Sequence, residues 1–355
     1  MNKKTLVLVS ILLMVSGALA LPAPDWTSNV GNGHVSFNSS GFVSTPVGSS
    51  SYTGFRPEGG YYWNYSGSTS FFNANGIMVD DKGNAYLSNF EDLIKYNISA
   101  GTDTYSNSGV LNGEVARLQA SAIGEEEDII YFNGKGTSKF FAGNGTKIKS
   151  SGLNIEDMEL VNGNIYAPFI QGGTPGVVKY DTDFNEIWKI STNNSNTAIS
   201  DIAIDEAENT YFATSFGGGS GPGRIYKLDS DGNLLLNKTA NMSTSPGGIE
   251  YSSGKVYAGD FNANFLEYDA ETLEIINNSL PTPAVSAIED INKVQTDGTT
   301  YMAVVAEGSN QGIQFYSFNN SYSTSPEVNN YEITESVQVD TPVPDSIALV
   351  LFLVL

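Results

Sequence analysis

The residues best placed to do chemistry recur at one point of a repeated pattern. Asn75 in "ANGIMV", Asp157 in "IEDMEL", Asp201 in "ISDIAI" and Asp290 in "IEDIN" each stand at the start of a short apolar run. If those runs are equivalent strands gathered round an axis, their side chains meet near it. Converging carboxylates repel unless they hold a cation or a proton. Two readings follow: the set binds Ca²⁺ or a polar ligand at the mouth of a channel, or each Asp accepts a backbone N–H of its own turn. Histidine and cysteine chemistry is closed to the repeats. The single histidine, His34, precedes them and the chain has no cysteine, so neither a Ser-His-Asp or Cys-His pair nor a His-based zinc site can be built there.

The elements that must position these residues are short strands. In "GIMVDDKGNAYLSNFEDLIKYN" an apolar run, a turn of Asp, Gly and Asn, a tyrosine-bearing strand and a period-two strand follow one another. The unit returns around Tyr131, Tyr166, Tyr211, Tyr257 and Tyr301, at spacings of 45, 35, 45, 46 and 44 residues from Tyr86 onward. Outer strands such as "IWKIS", "LLLNKT" and "EIINNS" complete four per unit. A period of 40–50 residues made of short strands predicts an all-β fold, a β-propeller of six four-stranded blades, or seven when both ends are pooled. Residues 73–340 are assigned to these repeats and a closing strand.

"GIMVDDKGNAYL" with "LIKYN" resembles NHL and related surface-propeller repeats, and "VVKYDTDFNEIWKIS" and "IYKLDSDGNLLLN" resemble the quinoprotein type. The likeness spans roughly residues 75–325 and implies a fold rather than an activity, because the repeated residues form turns and packing. The quinone enzymes are much longer and use cysteines that this chain lacks. A second resemblance, to gluconolactonase-like propellers, implies a divalent cation held on the axis. Asn75 and Asp201 match two of its positions in type, while the expected early Glu is missing. Streptogramin-lyase-like propellers need a histidine within a blade, and the repeats have none.

The segment ahead of the repeats, residues 21–72, carries "FRPEGGYYWNYSGSTSFF". Tyr61 and Trp63, beside Arg56 and Glu58, suit a sugar-stacking platform. They also suit edge strands packed on the first blade, with Tyr331–Val339 closing the ring. Residues 1–20 read as a signal peptide, with Lys3 and Lys4, an apolar core and a small-x-small site at Ala18-Leu19-Ala20. No cysteine follows that site, so lipoprotein anchoring is excluded. Residues 341–355 end in nine apolar residues, too few to span a bilayer, and read either as a truncated membrane anchor or as a sorting signal; they resemble the start of archaeal C-terminal sorting tails.

Asp and Glu number 39 against 17 Lys and Arg, a net charge of −22, with arginine only at positions 56, 117 and 224. This excludes the basic face that nucleic acid requires and fits an exported protein or a high-salt one. Nine N-x-S/T sequons permit glycosylation. The sequence therefore predicts an extracellular or cell-surface, monomeric, non-enzymatic module for a protein or glycan partner, touching membrane only through its C-terminal tail. The competing expectation is a cation-dependent hydrolase using Asn75, Asp157, Asp201 and Asp290.

Overall fold

The computed structural model describes residues 24–28, 35–47, 51–66, 76–88, 92–107, 120–124, 129–132, 138–141, 143–150, 157–171, 174–192, 199–214, 223–242, 246–262, 264–277, 287–296, 299–307 and 312–319. All lie in one compact unit, Met1–Asn320, and a second unit, Ser321–Leu355, lies outside the described residues.

The described strands form seven four-stranded antiparallel sheets. Blade 1 is β2 (Ser36–Phe37), β3 (Val43–Val47), β4 (Ser51–Phe55) and β5 (Tyr61–Ser66). Blade 2 is β6 (Gly76–Val79), β7 (Asn84–Ser88), β8 (Leu93–Asn97) and β9 (Thr102–Asn107). Blade 3 is β10 (Ala120–Gly124), β11 (Ile129–Phe132), β12 (Ser138–Phe141) and β13 (Lys147–Ser150). Blade 4 is β14 (Glu159–Val161), β15 (Asn164–Gln171), β16 (Thr174–Asp181) and β17 (Glu186–Ser191). Blade 5 is β18 (Ile202–Ile204), β19 (Thr210–Thr214), β20 (Arg224–Leu228) and β21 (Leu234–Thr239). Blade 6 is β22 (Pro246–Ser252), β23 (Lys255–Asp260), β24 (Phe265–Asp269) and β25 (Ile275–Asn277). Blade 7 joins β26 (Ala287–Thr296), β27 (Thr299–Glu307) and β28 (Gly312–Asn319) to β1 (Trp26–Thr27).

The inner strands β2, β6, β10, β14, β18, β22 and β26 touch one another in a closed circle. The fold is a seven-bladed β-propeller. Its ring closes from the N-terminal side, where Trp26 pairs with Phe315 and Thr27 with Gln314. Residues 36–66, expected as edge strands on the first blade, form a complete blade of their own. The stretch Tyr331–Val339, expected to close the ring, lies outside the described residues. The first blade escapes the tyrosine count because its second strand, "VSTPV", carries no tyrosine.

Turn chemistry explains why these hairpins form. Asp80, Asp181, Asp205, Asp229 and Asp260 each stand four residues ahead of an asparagine. In every case the Asn N–H donates to Asp Oδ1 and the Asn Nδ2 donates to Oδ2, at 2.7–2.9 Å. The carboxylate thus does locally what a strand ladder does elsewhere. In blades 2 and 5 the latch gains a third donor, the hydroxyl of Tyr86 (3.2 Å) or Tyr211 (2.9 Å). In the turns of Asp80, Asp181, Asp205 and Asp229 the residue before the asparagine takes positive φ. Glycine serves at Gly83 and Gly232, but Phe184 (57°) and Glu208 (60°) hold the same conformation with a side chain.

Between blades, a tyrosine and a lysine act as a spacer. Tyr86, Tyr166 and Tyr211 are buried, and Lys95, Lys179 and Lys227 sit opposite them across the sheet. Each ammonium lies 4.9–5.4 Å from its ring centroid. Lys179 then reaches into blade 5, donating to Glu208 Oε2 at 2.8 Å, and Lys227 reaches the Ala270 carbonyl of blade 6 at 3.0 Å. The charge satisfies a neighbouring turn while its stem packs on the ring.

The latch predicts that Asp205→Ala destabilises the fold by about 2–4 kcal/mol, because it strips acceptors from Ala207, Asn209 and the buried Tyr211 hydroxyl at once. Asp229→Ala, on an exposed turn without the tyrosine, should cost clearly less, because water can replace the lost acceptor. Denaturant midpoints of the two variants check the ranking.

Candidate functional site

Asp157 and Asp201 stand just ahead of the inner strands of blades 4 and 5, Asp290 lies inside that of blade 7 at a bulge after Ile288, and the closed circle of inner strands brings them together. Asp201 and Asp290 are buried and Asp157 is half-buried. Asn75 lies outside the described residues, as does His34. Two further carboxylates enter from the same layer. Glu159 on β14 stands opposite Tyr166, and Glu250 on β22 stands opposite Tyr257. Blades 2 and 5 carry Met78 and Ala203 opposite Tyr86 and Tyr211, so an acidic residue inside an otherwise apolar inner strand was the signal for both.

The aspartates bridge blades. Asp201 Oδ1 accepts the N–H of Ile202 at 2.7 Å, which is the local cap the sequence allowed. Its Oδ2 accepts the N–H of Ile249, 48 residues away on the inner strand of blade 6, also at 2.7 Å. Asp290 repeats the bridge at the ring closure, where its Oδ2 accepts the N–H of Val35, just ahead of β2, at 2.8 Å. Asn292 adds a bond from Nδ2 to the Val35 carbonyl at 3.3 Å. Glu250 accepts the N–H of Tyr251 at 2.7 Å and faces the Lys293 ammonium at 3.3 Å. That ammonium also donates to the Tyr251 carbonyl and lies 5.2 Å from the Tyr251 ring centroid.

The electrostatics follow from crowding. Burial pushes Asp201 well above the usual carboxylate range, and the negative charge of Asp157 and a shared hydrogen bond with it push the same way. Glu159 is raised by burial first, then by Glu250 and Asp157. Burial also raises Glu250, against the opposing pull of Lys293. One lysine facing this group cannot neutralise it, so the cluster retains protons. A protonated Asp201 can give its proton to Asp157 and still accept two N–H bonds. Among the described residues, no group of three or more His, Cys, Asp or Glu has the geometry to hold a metal ion.

Glu208 at the blade 4–5 boundary behaves oppositely. It accepts from Tyr166 Oη (2.5 Å), Lys179 Nζ (2.8 Å) and Asn162 Nδ2 (3.1 Å). The bonds from Lys179, Tyr166 and Asn162 lower it to about 2.

On blade 1, Tyr61 is exposed (61%), as is Tyr62, whereas Trp63 is buried (6%) against Tyr52 and Tyr96. Trp63 also fills the space above Gly54, where a Cβ would meet the indole at 2.1 Å. The paired platform of Tyr61 and Trp63 is therefore not formed. Trp63 is interblade core, and Tyr61 packs its ring on Phe55 at 5.1 Å.

No known protein family description matches the chain, and no curated protein matches it. Among solved structures it is similar to the WD40 domain of Neurospora crassa Pan2, with a TM-score of 0.62 and 9% identity over 84% of this chain and 93% of that one. At that identity the likeness concerns the fold alone.

Opposite pH dependences follow. Asp201 and Glu159 bind protons more tightly folded than unfolded, so their contribution is complete below the ordinary carboxylate range and is lost as pH rises through their raised values. Acidifying from pH 8 to about 5 should raise Tm, and Asp201→Asn, which mimics the protonated acid, should flatten that rise. Glu208 contributes above about pH 4.5 and loses its contribution as pH falls toward 2. Glu208→Gln should thus cost about 1 kcal/mol at pH 7 and almost nothing near pH 2. Thermal melts across pH check both signs.

Proposed function

We propose that this chain is an exported or surface-tethered propeller that binds a protein or glycan partner and performs no chemistry of its own. The observation that carries this reading is the use made of the axial aspartates. Both oxygens of Asp201 and one of Asp290 accept backbone N–H bonds, two of which cross from one blade to the next. A carboxylate used this way serves the ring; a hydrolase would need it free to hold a cation or activate water. The leader-like first twenty residues, the acidic composition and the NHL-like repeats support an extracellular setting. A net charge of −22 favours partners that bring positive charge.

The hydrolase reading, with Ca²⁺ on the axis, makes distinct demands. Under the binding-module reading, the purified chain shows no lactone or ester turnover above buffer, with or without millimolar Ca²⁺. Its Tm then rises no more in CaCl₂ than in NaCl of equal ionic strength. Turnover abolished by Asp201→Asn, or an extra Ca²⁺-dependent rise in Tm that the same variant loses, would establish the hydrolase or cation reading instead.

A further inference from the structure

Six outer strands share one irregularity. In blades 1 to 6 the pairing of third and fourth strands slips by one residue at the same place, just after the turn that joins them. The residue passed over is Tyr62, Thr104, Ile148, Ile187, Leu235 and Ile276 in turn. Such a bulge leaves the extra residue unpaired, twists an open edge away from pairing and re-aims a side chain. Every one of the six is exposed, and five are large and apolar, at 38–51% of full exposure. A bulge that only protected the edge would be served by any polar residue, as Thr104 serves in blade 2.

The strands alternate in direction, so the turn between first and second strands and the turn between third and fourth lie at the same end of each blade. The exposed apolar residues therefore form a belt around one rim of the ring. On blades 4 to 6 the belt is set among exposed acids: Asp183 and Glu186 beside Ile187, Asp231 beside Leu234 and Leu235, and Glu271 and Glu274 beside Ile276. Asp183 is paired with Lys139 and Glu274 with Lys238, so Glu186, Asp231 and Glu271 carry most of the charge offered to a partner. The belt also opens into a cleft of about 500 Å³ between blades 4 and 5, lined by Ile190, Phe212, Tyr226, Leu228 and Leu234. Arg224 at its far end is turned onto Asn237, with Nε to Oδ1 at 2.5 Å.

We infer that the rim of blades 4 to 6 is a docking surface for a basic, apolar protein segment, whose aliphatic side chains meet Ile187, Leu235 and Ile276 and enter the cleft while its lysines or arginines meet the surrounding acids. This rests on the binding-module reading and names its surface and partner class. The charge decides among occupants. A second copy docked rim to rim would press two acidic ends together, and an anionic lipid surface would meet the same repulsion. A cationic amphipathic segment gains from both components: the apolar contacts supply affinity, and the acids speed and orient encounter.

The test uses the full chain and a fluorescein-labelled helical peptide with one leucine face and one lysine face, followed by anisotropy. The triple variant Ile187→Ser, Leu235→Ser, Ile276→Ser should weaken binding about tenfold or more, with Tm unchanged because all three side chains are exposed. Thr104→Ala should leave binding as it is. Equal affinity of wild type and triple variant, or equal binding of an all-lysine peptide, overturns the inference. So does belt-dependent sedimentation with phosphatidylcholine–phosphatidylserine vesicles in place of peptide binding, or a wild-type dimer that the triple variant loses. None of these results bears on turnover or on the Ca²⁺ response of Asp201, so the broader functional reading is judged separately.

Discussion

A propeller is held at its axis by whatever ties one inner strand to the next, and here that tie is a carboxylate. Sheet hydrogen bonds run within a blade, so an inner strand presents its remaining backbone N–H groups to a neighbour that is not its ladder partner. Asp201 and Asp290 take up two such donors across blade boundaries, at Ile249 and at Val35. A buried N–H left unpaired costs about 1–3 kcal/mol, and a bond to a neutral acceptor contributes about 0.5–1.5. The opposing term is the desolvation and mutual repulsion of acids packed around one axis. The chain meets it by retaining protons on Asp201 and Glu159 and by placing Lys293 against Glu250. Both terms belong to one arrangement, so the axial residues are fixed by stability before any ligand is considered.

The outer layers answer the same problem with different chemistry. Between blades 1 and 2, and from blade 4 round to blade 1, the interface is apolar, with buried tyrosines and aliphatic side chains filling the gap to the next sheet. Where charge occurs there, it is matched to a turn of the adjacent blade, as Lys179 is to Glu208 and Lys227 to the Ala270 carbonyl. At the rim no further blade exists to cover the last strand. A bulge twists the edge away, and the exposed side chain it creates is where this protein departs from a purely structural pattern.

Much of this was legible in the sequence, because turn residues and tyrosine spacing are local signals. The Asp-x-x-x-Asn turns and the tyrosines at 86, 166, 211 and 257 mark strands the structure contains, and they mark the axial positions of Asp157, Asp201 and Asp290. The first blade was not legible as a blade: its second strand has no tyrosine, and "YYWNYS" reads equally as a surface aromatic cluster. Trp63 could not be told from an exposed ring by alternation, because the bulge at Gly54 and Phe55 shifts which residues face inward. The bridging role of Asp201 was hidden for a different reason. Its second partner, Ile249, lies 48 residues away, and nothing in local sequence says which amide will arrive there. Glu159 and Glu250 were visible as letters but not as neighbours, since their meeting depends on ring closure.

The central claim is that axial aspartates hold inner strands to one another through specific amides, and native-state hydrogen exchange at those amides tests it most directly. The account predicts that the Ile249 and Val35 amides exchange only through opening nearly as costly as global unfolding. In Asp201→Ala, which removes both acceptor oxygens, Ile249 should lose protection while Val35, served by Asp290, keeps it. Rapid exchange of Ile249 in the wild-type protein, or unchanged Ile249 protection in the variant, would contradict the account.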